Sequence, residues 1–464
     1  MARSACLFAS TLALAVGCGP VVVWHGRGPA RARRAVVLEE DDRQRLLVDG
    51  APQGEWDAIA ISHLRWDEAG LVYPARAGER WHLVVDGEAG PPYEAIGEIA
   101  TAGTRVAYAA LDPEGWHVVV DGVAGPAFTS LRAGTITFGR GGRSLAYVGR
   151  DRSSERVVVD GRMGPRFDRV RGLVSGAKGR AFAYVGDDED GSSVVVGGQR
   201  GERFDDVLEL ALASEEPRWA ALAVRGEALV LLRDGEAFPV DDGAADLQLS
   251  PDGSHVAWVS RRGGAQGVWR DGERVGTFAS VLRVRIVPRT GALLVLVEED
   301  GGVRVVHEGS RGPRFDTVTG PLVSAAGHWG YVGYRDAGCA VVVDGAPVFR
   351  GEWAGALELA ERADRWAFVA RRAGRRFVVT ADGPVAVPRP FVDSLVLDPE
   401  GRRWGLAVAH VDSRRVSVIV NGREVAPLDL DEVAAGQTQP LSGRSASEVV
   451  RGIVAGEIAR LAPR

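Results

Sequence analysis

Cysteine is scarce in this chain, and lysine scarcer still. Of three cysteines, Cys6 and Cys18 fall within the first twenty residues, which leaves Cys339 alone in the body. No intrachain disulfide can then staple that body, so its stability has to come from burial. Cys339 opens the run Cys339-Ala340-Val341-Val342-Val343 with no histidine or basic helix end nearby in sequence, and it reads as a small buried hydrophobe rather than a reactive thiol. Among 56 basic residues Lys178 is the single lysine, a mark of coding bias rather than selection for guanidinium chemistry. A net charge of −6 and a pI near 5.9 supply no basic surplus, which argues against a nucleic-acid partner. After the N-terminus no apolar run is long enough for a membrane-spanning helix. Catalytic spacings are missing as well: there is no G-x-S-x-G elbow, no H-E-x-x-H, no paired C-x-x-C and no phosphate-binding G-x-x-x-x-G-K. No catalytic residue, cofactor site or metal site is expected on these grounds.

What is present begins with the leader MARSACLFASTLALAVGCGP. Arg3 forms a short basic n-region, and residues 5–17 form an apolar stretch too short to span a bilayer, the pattern of a signal peptide over 1–18. Its end, Ala15-Val16-Gly17-Cys18, resembles a bacterial lipobox, and the resemblance implies that Cys18 is diacylated and becomes the new N-terminus. Ala15 stands where leucine is commoner, so ordinary cleavage near Cys18 is the alternative. Residues 19–34, rich in glycine and proline and carrying Arg27, Arg31, Arg33 and Arg34, read as a solvated tether. The expected location is the extracytoplasmic side of a bacterial envelope, periplasmic or outer-membrane. Residues 1–34 hold five arginines and no acid, so the body carries about −11 and repels polyanions.

The body is a repeat. Its clearest stretch runs from Val157 to Gly186, VVVDGRMGPRFDRVRGLVSGAKGRAFAYVG. With the turn dipeptide as a ruler, marks fall at Asp49, Asp86, Asp121, Asp160, Gly197, Asp234, Asp271, Glu308, Asp344, Asp382 and Asn421, each followed by glycine and spaced 35 to 39 residues apart. Asp-Gly, Gly-Gly and Asn-Gly tolerate positive φ at both centres of a type I′ turn, so each mark predicts a tight hairpin. Seven residues after the mark comes a large apolar residue, as in Trp56, Tyr93, Phe128, Phe167, Phe204, Phe278 and Phe315, with Leu428 in the last unit. Thirteen residues before it stand Tyr73, Tyr108, Tyr147, Tyr184, Trp258 or Tyr331, giving way to valine in weaker units. Aromatics recurring at fixed places predict a packing layer.

About 37 residues accommodate four strands of about five residues with short links. In the unit after Asp160 the expected strands are 172–175, 181–186, 193–196 and 203–207. Four-stranded units repeated radially predict an all-β fold, a β-propeller over 35–433. Leu249-Ser250-Pro251-Asp252-Gly253-Ser254-His255-Val256-Ala257-Trp258 then resembles the strand–Ser-Pro-Asp-Gly–strand signature of bacterial WD-repeat-like, TolB-type propeller repeats, and Leu397-Asp398-Pro399-Glu400-Gly401 is a looser copy. The resemblance covers roughly residues 35–433 and implies architecture while leaving function open, because such repeats host unrelated roles. Eleven units exceed one usual ring, so either one large ring or two abutting rings is expected. After Val433 the repeat fades into a tail over 434–464. There Ser445-Ala446-Ser447-Glu448 fits a capping box, and Val450, Ile453, Val454, Ile458 and Leu461 predict a helix over 445–461 docked on the end of the array.

Other residue patterns invite chemistry and receive plainer readings. His82 and His117 occupy equivalent places in successive units, each after a tryptophan, and sit too far apart to share a zinc. Asp168, Asp205 and Asp316 follow the layer aromatic and are expected to accept backbone N–H bonds in turns. Asp187-Asp188-Glu189-Asp190 reads as a solvated loop tip, and Trp269 and Trp353 as packing between units. The chain is therefore expected to be a non-catalytic envelope lipoprotein whose propeller binds a protein, peptide or glycan at a face or channel mouth. The alternative is an enzyme whose site is assembled at the axis from one residue per unit.

Overall fold

The computed structural model of this protein describes residues 21–27, 34–67, 69–241, 243–262, 264–336, 338–387, 395–409 and 415–429, with Val454, Ala455 and Ile458 beyond them. These residues build eleven consecutive antiparallel sheets, each of four strands in chain order, the construction of a multi-blade β-propeller. Sheets 2 and 4 each carry one further short strand, Arg65–Asp67 and Thr137–Phe138, paired with the second strand. Sheet 5 shows the unit: Arg169–Gly176, Ala181–Asp188, Gly191–Val196 and Gln199–Phe204. Its fourth strand starts directly after Gly197-Gly198, earlier than the expected 203–207, because a two-residue turn leaves no slack before pairing resumes. Asp206 already begins sheet 6.

The turn marks have the expected backbone. At ten of the eleven both residues have positive φ, for example 47° at Asp160 and 77° at Gly161, while at Asp382-Gly383 only the glycine does. Aspartate serves a second purpose there. The Asp160 carboxylate accepts the Leu145 N–H at 2.8 Å, and Asp121, Asp234, Asp271, Glu308 and Asp344 accept the equivalent N–H fifteen residues upstream. The turn residue thus pins the start of the second strand as well as the hairpin between the third and fourth.

Successive sheets are joined by one apolar cluster each, from sheets 1 and 2 through to sheets 10 and 11 without interruption. Among the described residues no seam divides the array. The aromatic layer forms these joints by fitting rings onto glycines. Phe167, which follows the fourth strand of sheet 4, packs edge-on to Tyr184 of sheet 5 with centroids 6.2 Å apart. A Cβ on Gly186, two residues after that tyrosine, would lie 2.4 Å from the Phe167 ring. In return Tyr184 Oη fills the space above Gly164, where a Cβ would be 2.6 Å away. The same exchange recurs for Phe128 with Gly149 and Tyr147 with Gly125, and for Phe315 with Gly333 and Tyr331 with Gly312. The Gly-Pro-x-Phe of one unit is therefore shaped for the Tyr-x-Gly of the next.

Both ends of the array differ from the reading of the sequence or complete it. Val21–Arg27, assigned above to a tether, is the first strand of sheet 1 and pairs antiparallel with Arg34–Glu40. Val-Val-Val-Trp is β-prone enough to join a sheet edge despite the flanking glycines. The sheets thus run from Val21 to Asp429. Of the expected C-terminal helix, Val454, Ala455 and Ile458 are helical, and Val454 and Ile458 are buried against Ala407, Val418 and Val420 of sheet 11. The rest of that helix lies outside the described residues, as does Cys18.

Candidate functional site

First strands of neighbouring sheets lie side by side through sheets 5 to 9 and again at sheets 10 and 11, whereas fourth strands meet the next sheet mainly at its second strand. The sheets therefore fan outward from their first strands, which line the interior as in other propellers. Several of these strands expose a leucine, Leu208, Leu282 and Leu322, between 41% and 50% accessible.

Most of these strands are bulged. In sheet 7 the ladder pairs Ala245 with Val259 and next Gln248 with Ala257, skipping Asp246 and Leu247. Asp246 has φ 57°, and an αL residue at such a bulge turns successive N–H groups to one side, a cradle for an anion. The Glu209 carboxylate of sheet 6 occupies that cradle, accepting Asp246 N–H at 2.9 Å and Leu247 N–H at 2.8 Å. In sheet 4, Gly134 N–H donates in the same manner to Glu98 of sheet 3 at 2.8 Å. Glu98 and Glu209 each stand twelve residues after their turn mark.

Sheet 5 has the same bulge with a different neighbour. Its ladder skips Gly172, at φ 63°, and Leu173. Twelve residues after Asp121 comes exposed Ala133, and among the described residues no carboxylate reaches Gly172 or Leu173. The space there is a cavity of about 320 Å³ lined by both of these residues with Arg132, Thr135, Val170 and Arg171. Arg132 Nη1 donates to the Val170 carbonyl and lies 3.4 Å from the buried Glu155 carboxylate. Glu155 also accepts Arg150 Nη2 at 2.7 Å and Val170 N–H at 2.8 Å. Arg171 is more fully engaged, with Asp187 at 2.8 Å and further bonds to Asp206, Ser192 and the Val207 carbonyl. The Asp187 carboxylate, with Asp206 beside it, holds the Arg171 guanidinium above its usual pKa. Burial disfavours ionised Asp187, but the bonds from Arg171 and Ser192 outweigh that and keep its carboxyl below the ordinary range. Nε and Nη2 of Arg132 have no acceptor among the described residues, so this guanidinium has donors to spare.

The residues singled out in the sequence fall mostly outside this cavity. Asp205 and Asp316 accept backbone N–H groups of Gly226 and Asp336, as expected, although those turns belong to the next sheet. Asp168 donates its own N–H to the Asp187 carbonyl. The acidic run is committed to arginines, with Asp188 on Arg200 at 2.7 Å and Asp190 on Arg203 at 3.0 Å. Among the described residues no group of three or more His, Cys, Asp or Glu side chains is placed to hold a metal. Trp269 stacks on Trp258 at 5.9 Å, Trp353 packs against the cluster between sheets 10 and 11, and Cys339 is buried. Ser250, Asp252 and His255 do not form a nucleophilic triad. Bonds from Ser250 Oγ, then from Ser254, pull the Asp252 carboxyl down to about 2, while the His255 ring turns away to Asp271.

His82 and His117 each place Nδ1 on the carbonyl of a Gly-Pro glycine, Gly90 and Gly125. His117 is the unusual one, 4% accessible, with Nε2 2.8 Å from Asp112 Oδ1. Both ring nitrogens face acceptors, an arrangement that the protonated ring satisfies with two donors. Burial pushes its pKa down, but the bonds to Asp112 and the Gly125 carbonyl outweigh this and raise it. The cradle itself escaped sequence reasoning. Its signal was faint: glutamate stands at the twelve-residue mark in the units of Asp86 and Gly197, aspartate in that of Asp234, and no acid in the other eight.

No family model matches the chain, and no curated protein does. Solved structures do match. A eukaryotic initiation factor aligns at 11% identity over 65% of this chain and 89% of its own, with a TM-score of 0.34. The β-propeller domain of Cps50 (Swd1) from Myceliophteria thermophila aligns at 16% identity over 54% and 98%, with a TM-score of 0.28. Dihydro-heme d1 dehydrogenase NirN in complex with DHE aligns at 13% identity over 60% and 71%, with a TM-score of 0.29. Likenesses this distant say nothing of activity, and the propeller architecture rests on the eleven sheets themselves.

Proposed function

We propose that this protein is a bacterial cell-envelope lipoprotein that uses its TolB-like propeller as a rigid scaffold for a protein or peptide partner and carries out no chemistry of its own. The observation that carries the binding role is the interior surface of the first strands, which exposes Leu208, Leu282 and Leu322 and holds the 320 Å³ cavity with its cradle and Arg132. Concave sites of this size, apolar with a few convergent polar groups, suit side chains and chain ends of a peptide.

The N-terminal strand sharpens the anchoring half of the proposal. Only Gly19 and Pro20 separate Cys18 from Val21, a reach of about 11 Å at full extension. Val21 pairs with Glu39, beside the turn that joins the second and third strands of sheet 1. An acylated Cys18 therefore holds the faces of the second-to-third-strand turns toward the bilayer and leaves the Asp-Gly turns facing away. The test is fractionation with metabolic palmitate labelling, followed by affinity capture from detergent-solubilised envelope. Wild type should label and sediment with membranes, Cys18→Ser should do neither, and a reproducible partner should be captured. An unlabelled wild-type protein in the cytoplasmic fraction, with no partner, would refute the proposal.

A further inference from the structure

We infer that the cavity between sheets 4 and 5 is a carboxylate-binding site, in which an incoming carboxylate seats on the Gly172 and Leu173 N–H groups and pairs with the Arg132 guanidinium. The ligand class is a peptide that presents a free C-terminus or an acidic side chain. The inference deepens the scaffold reading and rests on it.

The molecule supplies its own precedents. Two of its sheets have the acid built in: Glu209 accepts both N–H groups of the sheet 7 bulge, and Glu98 accepts Gly134 N–H in the longer loop between Leu131 and Thr137 of sheet 4. Those bonds show that a carboxylate fits between neighbouring first strands at this level of the array. Sheet 5 repeats the αL bulge at Gly172, but the unit before it has Ala133 where the units of Asp86 and Gly197 have glutamate. One residue earlier that unit carries Arg132, with its unengaged Nε and Nη2. Where the neighbours provide an anion, this joint provides a cation. Cradle and guanidinium together call for an anion from outside.

Charge and size narrow the class. Arg171 on the same wall is engaged by Asp187 and Asp206, and Glu155 by both Arg150 and Arg132, so guanidiniums and carboxylates match in number and what the joint offers an anion is the spare donors of Arg132. A planar carboxylate matches both the fork of an arginine and the paired N–H groups. Val148, Val170 and Leu173 give the neighbouring ligand atoms an apolar wall, and Thr135 and Thr137 a polar one. The volume admits a carboxylate with one or two residues behind it, not a folded domain.

The test uses the full chain in detergent, immobilised, and a mixed pentapeptide pool synthesised in three forms: free C-terminus, C-terminal amide, and amide with one internal Asp or Glu. Retained peptides are counted by mass spectrometry. Enrichment of the free-C-terminus form over the plain amide by tenfold or more assigns the carboxylate to a chain end. The same enrichment of the third form assigns it to a side chain. Either supports the site, and equal retention of all three forms overturns it. Two variants check the place. Arg132→Gln should weaken retention about 10- to 100-fold, the worth of one charge-assisted pair. Ala133→Glu puts an internal carboxylate at the twelve-residue mark, so it should block the pool while raising Tm, which separates blocking from misfolding. If Ala133→Glu retains peptides as wild type does, the cradle is not the site. An envelope partner captured equally by wild type and Ala133→Glu would refute this site and leave the scaffold reading standing, whereas no partner for wild type would refute the scaffold reading itself.

Discussion

Replacing Gly186 by alanine should have opposite effects on stability depending on what stands at position 167. Phe167 is 1% accessible and rests on Gly186, where a Cβ would come within 2.4 Å of its ring. Gly186 has no left-handed φ, so the backbone accepts alanine and gains about 0.5–1 kcal/mol from lost unfolded-state freedom. Against that, forcing a methyl under a packed ring costs about 1–3 kcal/mol, so Gly186→Ala alone should destabilise by roughly 0.5–2 kcal/mol. Phe167→Ala removes the ring from the joint between sheets 4 and 5, at about 3–5 kcal/mol. In that background the Gly186→Ala methyl enters vacated space and should stabilise by about 1–2 kcal/mol, from backbone entropy plus one buried carbon. The coupling between the two sites is then roughly 2–3 kcal/mol, at the top of the range for contacting residues. Repeat arrays need not unfold in one step, so urea midpoints should be read beside hydrogen exchange of the strand Ala181–Asp188. If Gly186→Ala shifts stability in the same direction with and without Phe167, ring-on-glycine seating is not what joins the sheets.

Two further outcomes follow from buried polar groups. Because the folded pKa of His117 is raised, its contribution to stability is fully present below the unfolded value near 6.5 and is lost as pH rises through the folded value. Thermal melts should show Tm falling across that window in wild type and not in Asp112→Asn, and an NMR titration placing His117 below 6.5 would contradict the imidazolium assignment. Tyr147 Oη is buried above Gly125 with no hydrogen-bond partner among the described residues, and burial pushes its pKa up. Tyr147→Phe should therefore be neutral or up to about 1 kcal/mol stabilising in urea titrations, whereas Gly125→Ala should destabilise and be partly rescued by Tyr147→Phe.

The hairpin ruler was legible because a type I′ turn constrains residue type at two adjacent positions, and ten of eleven marks have that backbone. The aromatic layer was legible for a similar reason, since Phe167 and Tyr184 keep fixed offsets from the turn. What the spacing did not reveal is the partner of each aromatic, since Gly164 and Gly186 read simply as turn and strand glycines until the sheets are brought together. The misplaced fourth strand has the same origin. Arg203–Val207 is strand at both ends, but it straddles the joint between Phe204 of sheet 5 and Asp206 of sheet 6. Val21–Arg27 was missed because glycine and arginine dominate residues 19–34 by count, while the strand is set by a four-residue core at Val21 to Trp24.

The cradle shows why conspicuous residues were poor guides to a site in this repeat. Asp168, the acidic run and His82 draw notice by type, yet each serves its own unit or the next through an ordinary turn or strand bond. Glu98, Arg132 and Glu209 draw none, since charged residues are common throughout. Their meaning depends on comparing units, where Glu98 and Glu209 stand twelve residues after their turn marks and the unit of Asp121 has Ala133 there, with Arg132 one residue earlier. Sheets 4 and 7 close their joints with a carboxylate from the preceding sheet, and the N–H pair of sheet 5 meets a guanidinium and a cavity instead. The joint between sheets 4 and 5 thus sets a guanidinium with spare donors beside an N–H pair that no carboxylate of the described residues reaches, a combination that the joints filled by Glu98 and Glu209 do not have.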